Sequence, residues 1–217
     1  ATMADHRPSC LVVCSSHKEG VCAQSFIHAF TLTNSAFTLA IATPQGIPID
    51  FVNVDDTNRR WISDFRGKSY ASPMKLESVD PSRFAALLIP SSPGALYDLA
   101  SHDTMMHIVR HFMDERKPVC TVGYGAAALT AGKLTNIGWC CEGYSLTGPS
   151  VYEMVQLKNF STIPIVFEDY AKDNLASYTA STPDSVHVVI DRNLITGQNS
   201  QSTLTAVQNL ILACNAR

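Results

Sequence analysis

The sequence contains no uninterrupted apolar run approaching the roughly 18–20 residues that span a bilayer, so membrane insertion is not expected. Its first apolar stretch, CLVVC, is too short for the core of a signal peptide, and no basic run precedes it. Charge is scarce and mixed. With 16 Lys and Arg against 19 Asp and Glu, the net charge of −3 gives no basic surface for nucleic acid or an anionic membrane. Cysteine is present seven times but never as C-x-x-C, and the number is odd. That argues against a disulfide framework or a structural zinc site and fits reduced thiols, hence a cytoplasmic protein. Association with vesicles is left open. There is no internal repeat, low-complexity tract or flexible linker. A 217-residue chain that is 46% hydrophobic therefore reads as a single domain, with bounds expected at residues 7–216.

What is there is an alternation. Cys10–Cys14 is a continuous apolar run, the pattern of a strand buried on both faces. Ala23, Phe26, Ile27 and Phe30 follow at helical spacing within Val21–Asn34, and Phe37–Ala42 is a second strand. Ile49–Pro81 is irregular and is expected to be a peripheral insertion covering one sheet face. Phe84–Ile89 is a third buried strand. Met105, Ile108, Val109 and Phe112 then form a helical stripe. His107 and His111, four apart on that helix, are expected to face solvent without a third ligand, so no metal is expected. Trp139–Thr147 and Ile163–Glu168 are expected strands. Val186–Ile190 and Leu194–Thr196 form another pair, joined by the turn-forming Asp191-Arg192-Asn193. The corner from Asp191 to Asn199 is expected to be structural, with Gln198 and Asn199 binding backbone. Thr205–Ala216 closes the chain as an amphipathic helix. Alternating strands and helices predict an α/β sandwich with a mostly parallel sheet. In such sheets sites lie at the carboxyl ends of strands, here the loops after Cys14, Ile89 and Val122.

The sharpest feature is Pro118–Leu129, PVCTVGYGAAAL. Val119–Val122 suits a strand, Gly123 and Gly125 suit a tight turn, and Ala126–Leu129 opens an alanine-rich helix. Strand–turn–helix elbows of this kind carry the nucleophile in many α/β enzymes, with backbone N–H groups directed at it. Here the apex is Gly123, which has no side chain.

Seven segments, EGVCAQSF, FTLAIATPQG, ALLIPSSPGALYDLA, KPVCTVGYGAAAL, YSLTGPS, FEDY and HVVIDRNLITGQNSQS, occur in one order across most of the chain. Together they resemble the PfpI family, which includes the Parkinsonism-associated deglycase, within the class I glutamine amidotransferase-like superfamily. The resemblance implies a flavodoxin-like three-layer α/β/α fold with a mostly parallel sheet, often assembled as a homodimer. Family enzymes carry an elbow cysteine in a pattern close to V-C-H-G-P. The resemblance puts Gly123 at the cysteine and Tyr124 at the histidine, with Ser25, or Gln24 one register away, at a first-helix glutamate. It puts Pro90-Ser91-Ser92-Pro93-Gly94 at the P-G-G-x-G oxyanion loop and Glu153 at an acid that orients the histidine in some members.

Two functions from different classes follow as expectations. The first is a catalytically degenerate member whose pocket (Ser25, Ser91, Ser92, Gly94, Gly123, Tyr124, Gly125) serves as a scaffold for protein interaction or a small anionic metabolite. The anion would be held by N–H groups of Gly125 and Ala126. No cofactor is expected. The second is a hydrolase or deglycase with a non-standard nucleophile. Its candidates are Cys120, Cys14 or Cys22 at the first rim loop, and the vicinal Cys140-Cys141. Ser91 or Ser92 is another, served by His17 or His102. A Cys or Ser within hydrogen-bond reach of a rim histidine would favour the second.

Overall fold

A computed structural model describes residues 6–216. The main chain runs β1 (Ser9–Val13), α1 (Ala23–Ala36), β2 (Thr38–Thr43), α2 (Arg59–Arg66) and β3 (Met74–Lys75). It continues through β4 (Ala86–Ile89), α3 (Asp103–Asp114), β5 (Val119–Val122) and a 3-10 helix at Gly123–Gly132. Then come α4 (Val151–Met154), α5 (Phe167–Asp173), β6 (Val188–Asp191), β7 (Leu194–Gly197) and α6 (Thr203–Asn215). Seven strands form one sheet in the order β6-β7-β5-β4-β1-β2-β3. Every pairing is parallel except β6 with β7, where Asp191 faces Leu194 across the hairpin.

The apolar runs become the fully buried strands β1, β4 and β5 because helices cover both sheet faces. On one face lie α1 and α6, whose Phe26, Phe30, Val207 and Leu210 pack on Cys10, Val12, Leu88, Cys120 and Val122. On the other lie α3 and the 3-10 helix, whose Ile108, Val109, Phe112 and Leu129 pack on Leu11, Leu87, Ile89 and Val119. This is the flavodoxin-like three-layer sandwich. Most of the region 49–81 packs over α1, but it is not wholly peripheral as expected, because Met74–Lys75 joins the central sheet as β3 and Leu76 enters the core on the opposite face. Trp61 stacks on Phe65 at 5.3 Å, and both meet Phe26 and Phe30 edge-on.

Three local expectations are corrected. Ile163–Glu168 is not a strand. Residues 163–166 are irregular, and α5 begins at Phe167, where Phe167 and Ala171 are buried four residues apart and Glu168 and Asp169 sit in a helical first turn. Trp139–Thr147 is not one strand around a turn but two short pieces, Gly138–Trp139 and Ser145–Leu146, in different small sheets. The alanine-rich run is wound as a 3-10 helix and is enclosed on all sides, so no solvent face gives it the usual amphipathic stripe.

Chain order places the site. From β1 the chain moves to β2 and β3 on one side, then crosses to β4 and β5 on the other. The order reverses between β1 and β4, so the crevice opens at their carboxyl ends.

Candidate functional site at the β5 elbow

β5 ends at Gly123, whose φ of +51° is a conformation that favours glycine. A Cβ on Gly123 would stand 2.5 Å from Ser91 Oγ. The Ser91 hydroxyl thus fills the space that an elbow side chain would use. It also accepts from Tyr124 N–H at 3.3 Å. Ser91 is held from below, because its N–H donates to Ser25 Oγ at 3.0 Å and Ser25 Oγ pairs with Thr203 Oγ1 at 2.9 Å. Its carbonyl accepts from Cys22 N–H at 2.9 Å. Ser25, Ser91, Gly123 and Tyr124 therefore form one connected group.

The other expected pocket residues lie elsewhere. Ser92 Oγ donates to the Gly20 carbonyl at 3.0 Å, and Gly94 lies against the Ser15 hydroxyl, so both knit rim loops together. Gly125 has no positive φ; its value is proximity, since a Cβ there would fall 2.5 Å from the carbonyl oxygens of Ile89 and Pro90. Neither Gly125 nor Ala126, the residues expected to present N–H groups to an anion, is among the cavity's lining.

A cavity of about 350 Å³ opens in front of the elbow. Cys22, Ser91, Gly123, Tyr124, Glu153 and Asp184 are among its walls. Glu153 comes from α4, where Ser150 caps the helix and the two side chains form a reciprocal capping box. Its Oε1 accepts from Ser150 N, Ser150 Oγ and Gln198 Nε2, and its Oε2 from Asn199 Nδ2 and Asp184 N. Burial pushes this carboxyl up, but the bonds from Asn199, Gln198, Ser150 and Asp184 outweigh it and hold the group below the ordinary glutamate range. Gln198 and Asn199 also bind the carbonyls of Ser181 and Ser185, so the corner clamps Glu153 as well as backbone. Burial, then the charges of Glu153 and Asp184, push the Tyr124 phenol well above its usual value. The cavity lining contains no lysine, arginine or histidine.

The candidate nucleophiles separate by position. Cys120 is in β5, fully buried in the layer under α6, and desolvation pushes its thiol up. Cys14 is likewise buried and raised, with Asp98 adding to the effect. Cys140 and Cys141 lie with sulfurs 3.9 Å apart, away from the elbow cavity. Cys22 is different. It caps α1 and lines the cavity, and Ser200 Oγ donates to its sulfur at 3.2 Å.

The expected bases are committed elsewhere. His17 stacks on Tyr97 at 4.5 Å and its Nδ1 accepts from Glu19 N–H, while His102 Nδ1 accepts from Met105 N–H at the start of α3. Neither serves Ser91 or Ser92. His107 is exposed and His111 pairs with Lys117 Nζ at 2.8 Å. Among the described residues no cluster of three or more His, Cys, Asp or Glu could hold a metal ion.

One pair was not legible in the sequence. Ser181 Oγ lies 2.9 Å from His187 Nδ1, and Thr179 Oγ1 lies 3.0 Å from Nε2. The turn at Thr182-Pro183-Asp184-Ser185 folds the chain back to bring them together. Among the described residues no carboxylate bonds the ring, and Ser181 N–H is already bonded to Gln198 Oε1. Neither residue lines the cavity, so the pair reads as a clasp on the loop beside it.

The sandwich and its elbow define a class, and sequence comparison names it. The chain matches the DJ-1/PfpI family over residues 26–212 and belongs to that family. It is similar to glutamine amidotransferase-like class 1 domain-containing protein 1 of Bos taurus, at 54% identity over 97% of this chain and 96% of that one. The Homo sapiens protein of the same name is 53% identical over 98% and 96%. Among solved structures, glyoxalase III from Candida albicans superposes with a TM-score of 0.80 at 18% identity, covering 96% of this chain and 98% of that one. Drosophila melanogaster DJ-1beta superposes with a TM-score of 0.65 at 15% identity, covering 97% and 92%. Among the described residues no helix is long and apolar enough to cross a membrane.

Proposed function

We propose that this protein is a ligand-binding member of its family that performs no covalent thiol chemistry at the elbow. One observation carries the reading: the Ser91 hydroxyl sits in the space a nucleophile on residue 123 would need, and Tyr124 N–H donates to it. The resemblance places Gly123 and Tyr124 at the family's cysteine and histidine. A phenol raised by burial and two carboxylates is no general base at neutral pH. Loss of nucleophile and base together removes the covalent route, since such groups act as a unit. What is left is a walled cavity at the switch point of the sheet, a usual place for a small-molecule site.

A specific observation favours a second reading. Cys22 is a thiol in the cavity wall, at the start of a 14-residue helix, with a hydroxyl on its sulfur. Deglycase or hydrolase chemistry there would need a proton acceptor, and no histidine lines the cavity. The purified protein incubated with methylglyoxal decides between them. The binding reading expects no turnover above that of a thiol-blocked control. Turnover that Cys22→Ser abolishes and Cys120→Ser preserves would replace it with the second reading.

A further inference from the structure

We propose that the vicinal thiols Cys140 and Cys141 are a redox modification site, oxidised by a small hydroperoxide to a disulfide within one chain. Neither cysteine lines the elbow cavity, so the inference does not rest on the binding reading above. The two sulfurs lie 3.9 Å apart in a hydrogen bond. Access divides the pair. Cys140 is half-buried, whereas Cys141 is fully buried in the core layer that holds Val109 and Leu129. One sulfur can meet a small oxidant, and the other waits behind it.

The local chain holds the pair in a turn. Glu142 N–H donates to the Trp139 carbonyl at 3.1 Å, which puts the two cysteines at the turn's centre. Cys140 N–H donates to the Gly132 carbonyl at 3.1 Å, and a Cβ on Gly132 would collide with Cys140 Sγ. The glycine thus leaves the sulfur its place. Arg110 Nη1 donates to the same carbonyl at 2.7 Å and to that of Gly138 at 3.3 Å. A guanidinium is thereby gathered beside the Cys140 backbone, and a cation close by assists a thiol that must react as its thiolate. The bond to Cys140, then burial, push the Cys141 thiol well above its ordinary range. Cys141 therefore keeps its proton and donates to the Cys140 sulfur. Cys140 attacks first and Cys141 second.

In the first step the Cys140 sulfur attacks one oxygen of hydrogen peroxide, the O–O bond breaks, Cys140 becomes a sulfenic acid and water leaves. In the second the Cys141 sulfur attacks the Cys140 sulfur and the S–O bond breaks. The hydroxyl departs with the Cys141 proton as a second water. Two thiols and one peroxide become one disulfide and two waters, with two electrons passing from sulfur to peroxide. Closure brings the sulfurs from 3.9 Å to about 2 Å. The peptide between them permits this. Among the described residues neither the Cys140 carbonyl nor the Cys141 N–H is hydrogen-bonded, so no bond is lost when that peptide turns. Adjacent Cα atoms lie about 3.8 Å apart across a trans peptide, closer than the roughly 4.4–6.8 Å of ordinary disulfides. The closed ring is therefore strained and readily reduced by a thiol such as glutathione, which suits a reversible mark and not a permanent staple.

Mass spectrometry tests the inference on folded protein treated with a slight excess of hydrogen peroxide, then unfolded, alkylated and digested. The peptide holding residues 140–141 should escape alkylation and weigh about 2 Da less than its dithiol form, and glutathione should return both thiols. Cys140→Ser should lose the mass change altogether. Cys141→Ala should stop at a sulfenic acid on Cys140, which dimedone traps. Cys22→Ser should oxidise at the pair like the parent, which keeps this result apart from any chemistry at the elbow. A peptide that keeps two alkylatable thiols while Cys22 or Cys214 is oxidised would overturn the inference. So would a disulfide joining two chains, or sulfinic acid on Cys140 of the parent with no disulfide. The measurement on the parent decides the matter even where a variant fails to fold.

Discussion

Adding one methyl group at the elbow tests whether Ser91 truly occupies the missing side chain's place. In Gly123→Ala the new Cβ falls 2.5 Å from Ser91 Oγ and 3.1 Å from its Cβ. Two costs add. A residue with a Cβ at φ +51° pays about 1–2 kcal/mol for the left-handed conformation. Pushing the serine hydroxyl aside breaks its bond from Tyr124 N–H and leaves a buried donor unmet, a further 1–2 kcal/mol or so. The single variant should therefore lose about 2–4 kcal/mol, or roughly 5–15 °C in melting temperature for a domain of this size. Ser91→Ala alone should lose about 1 kcal/mol, the value of the one hydrogen bond its hydroxyl accepts from Tyr124 N–H. The double variant removes the closest clash and keeps only the 3.1 Å contact. It should thus be more stable than the sum of the two losses predicts, by about 1–2 kcal/mol. Urea unfolding of the four proteins measures that coupling. Additive losses, or a Gly123→Ala protein as stable as the parent, would refute the placement of Ser91 and weaken the binding reading that depends on it.

Other measurements address other parts of the molecule. Glu153 has a folded-state pKa below its unfolded one. Its contribution is therefore full above the ordinary glutamate range, near 4.3–4.5, and disappears as the pH falls through the folded value. Glu153→Gln should flatten that acid limb of the stability profile, and identical limbs would contradict the carboxylate clamp. Thr121 Oγ1 is buried without a hydrogen-bond partner among the described residues, so Thr121→Val should raise stability by about 1 kcal/mol in urea unfolding. Phe26 is fully buried against Phe30, Phe51, Trp61 and Phe65. Phe26→Ala should cost about 3–5 kcal/mol, and a loss under 1 kcal/mol would show that the aromatic cluster is not packed as described. Thiol labelling of the native protein should spare Cys10, Cys14, Cys120 and Cys141, which are completely buried, until it unfolds. Rapid modification of Cys120 in the folded state would reopen it as a nucleophile.

The sequence alone determined the layers. Uninterrupted apolar runs at Cys10–Cys14 and Phe84–Ile89, with the strand-forming Val119–Val122 beside them, have only one economical resting place, a parallel sheet covered on both faces. The 3.6-residue stripes at Phe26–Phe30 and Met105–Phe112 supply the covers. These signals are local, and the period of the side chains carries them. Where burial was complete on every side, as at Ala126–Ala128, or where a short run mixed apolar and acidic residues, as at 163–168, the period could not discriminate. There the tertiary environment chose a 3-10 winding and the helix α5. The glycine apex was likewise readable, because Gly123 stands between a strand and an alanine run.

Only the tertiary structure decided what surrounds that apex. Ser91 and Gly123 are 32 positions apart, and nothing in either segment says that one hydroxyl fills the other's empty place. Glu153 meets Gln198 and Asn199 across more than forty residues, and Asp184 reaches the same carboxylate through its backbone N–H. The cavity lining thus gathers two carboxylates and no cationic side chain, a grouping that chain order alone did not show. Helix N-termini can be guessed from sequence, but the charge of a wall is the sum of side chains from separate loops, which only folding brings to one side of one space.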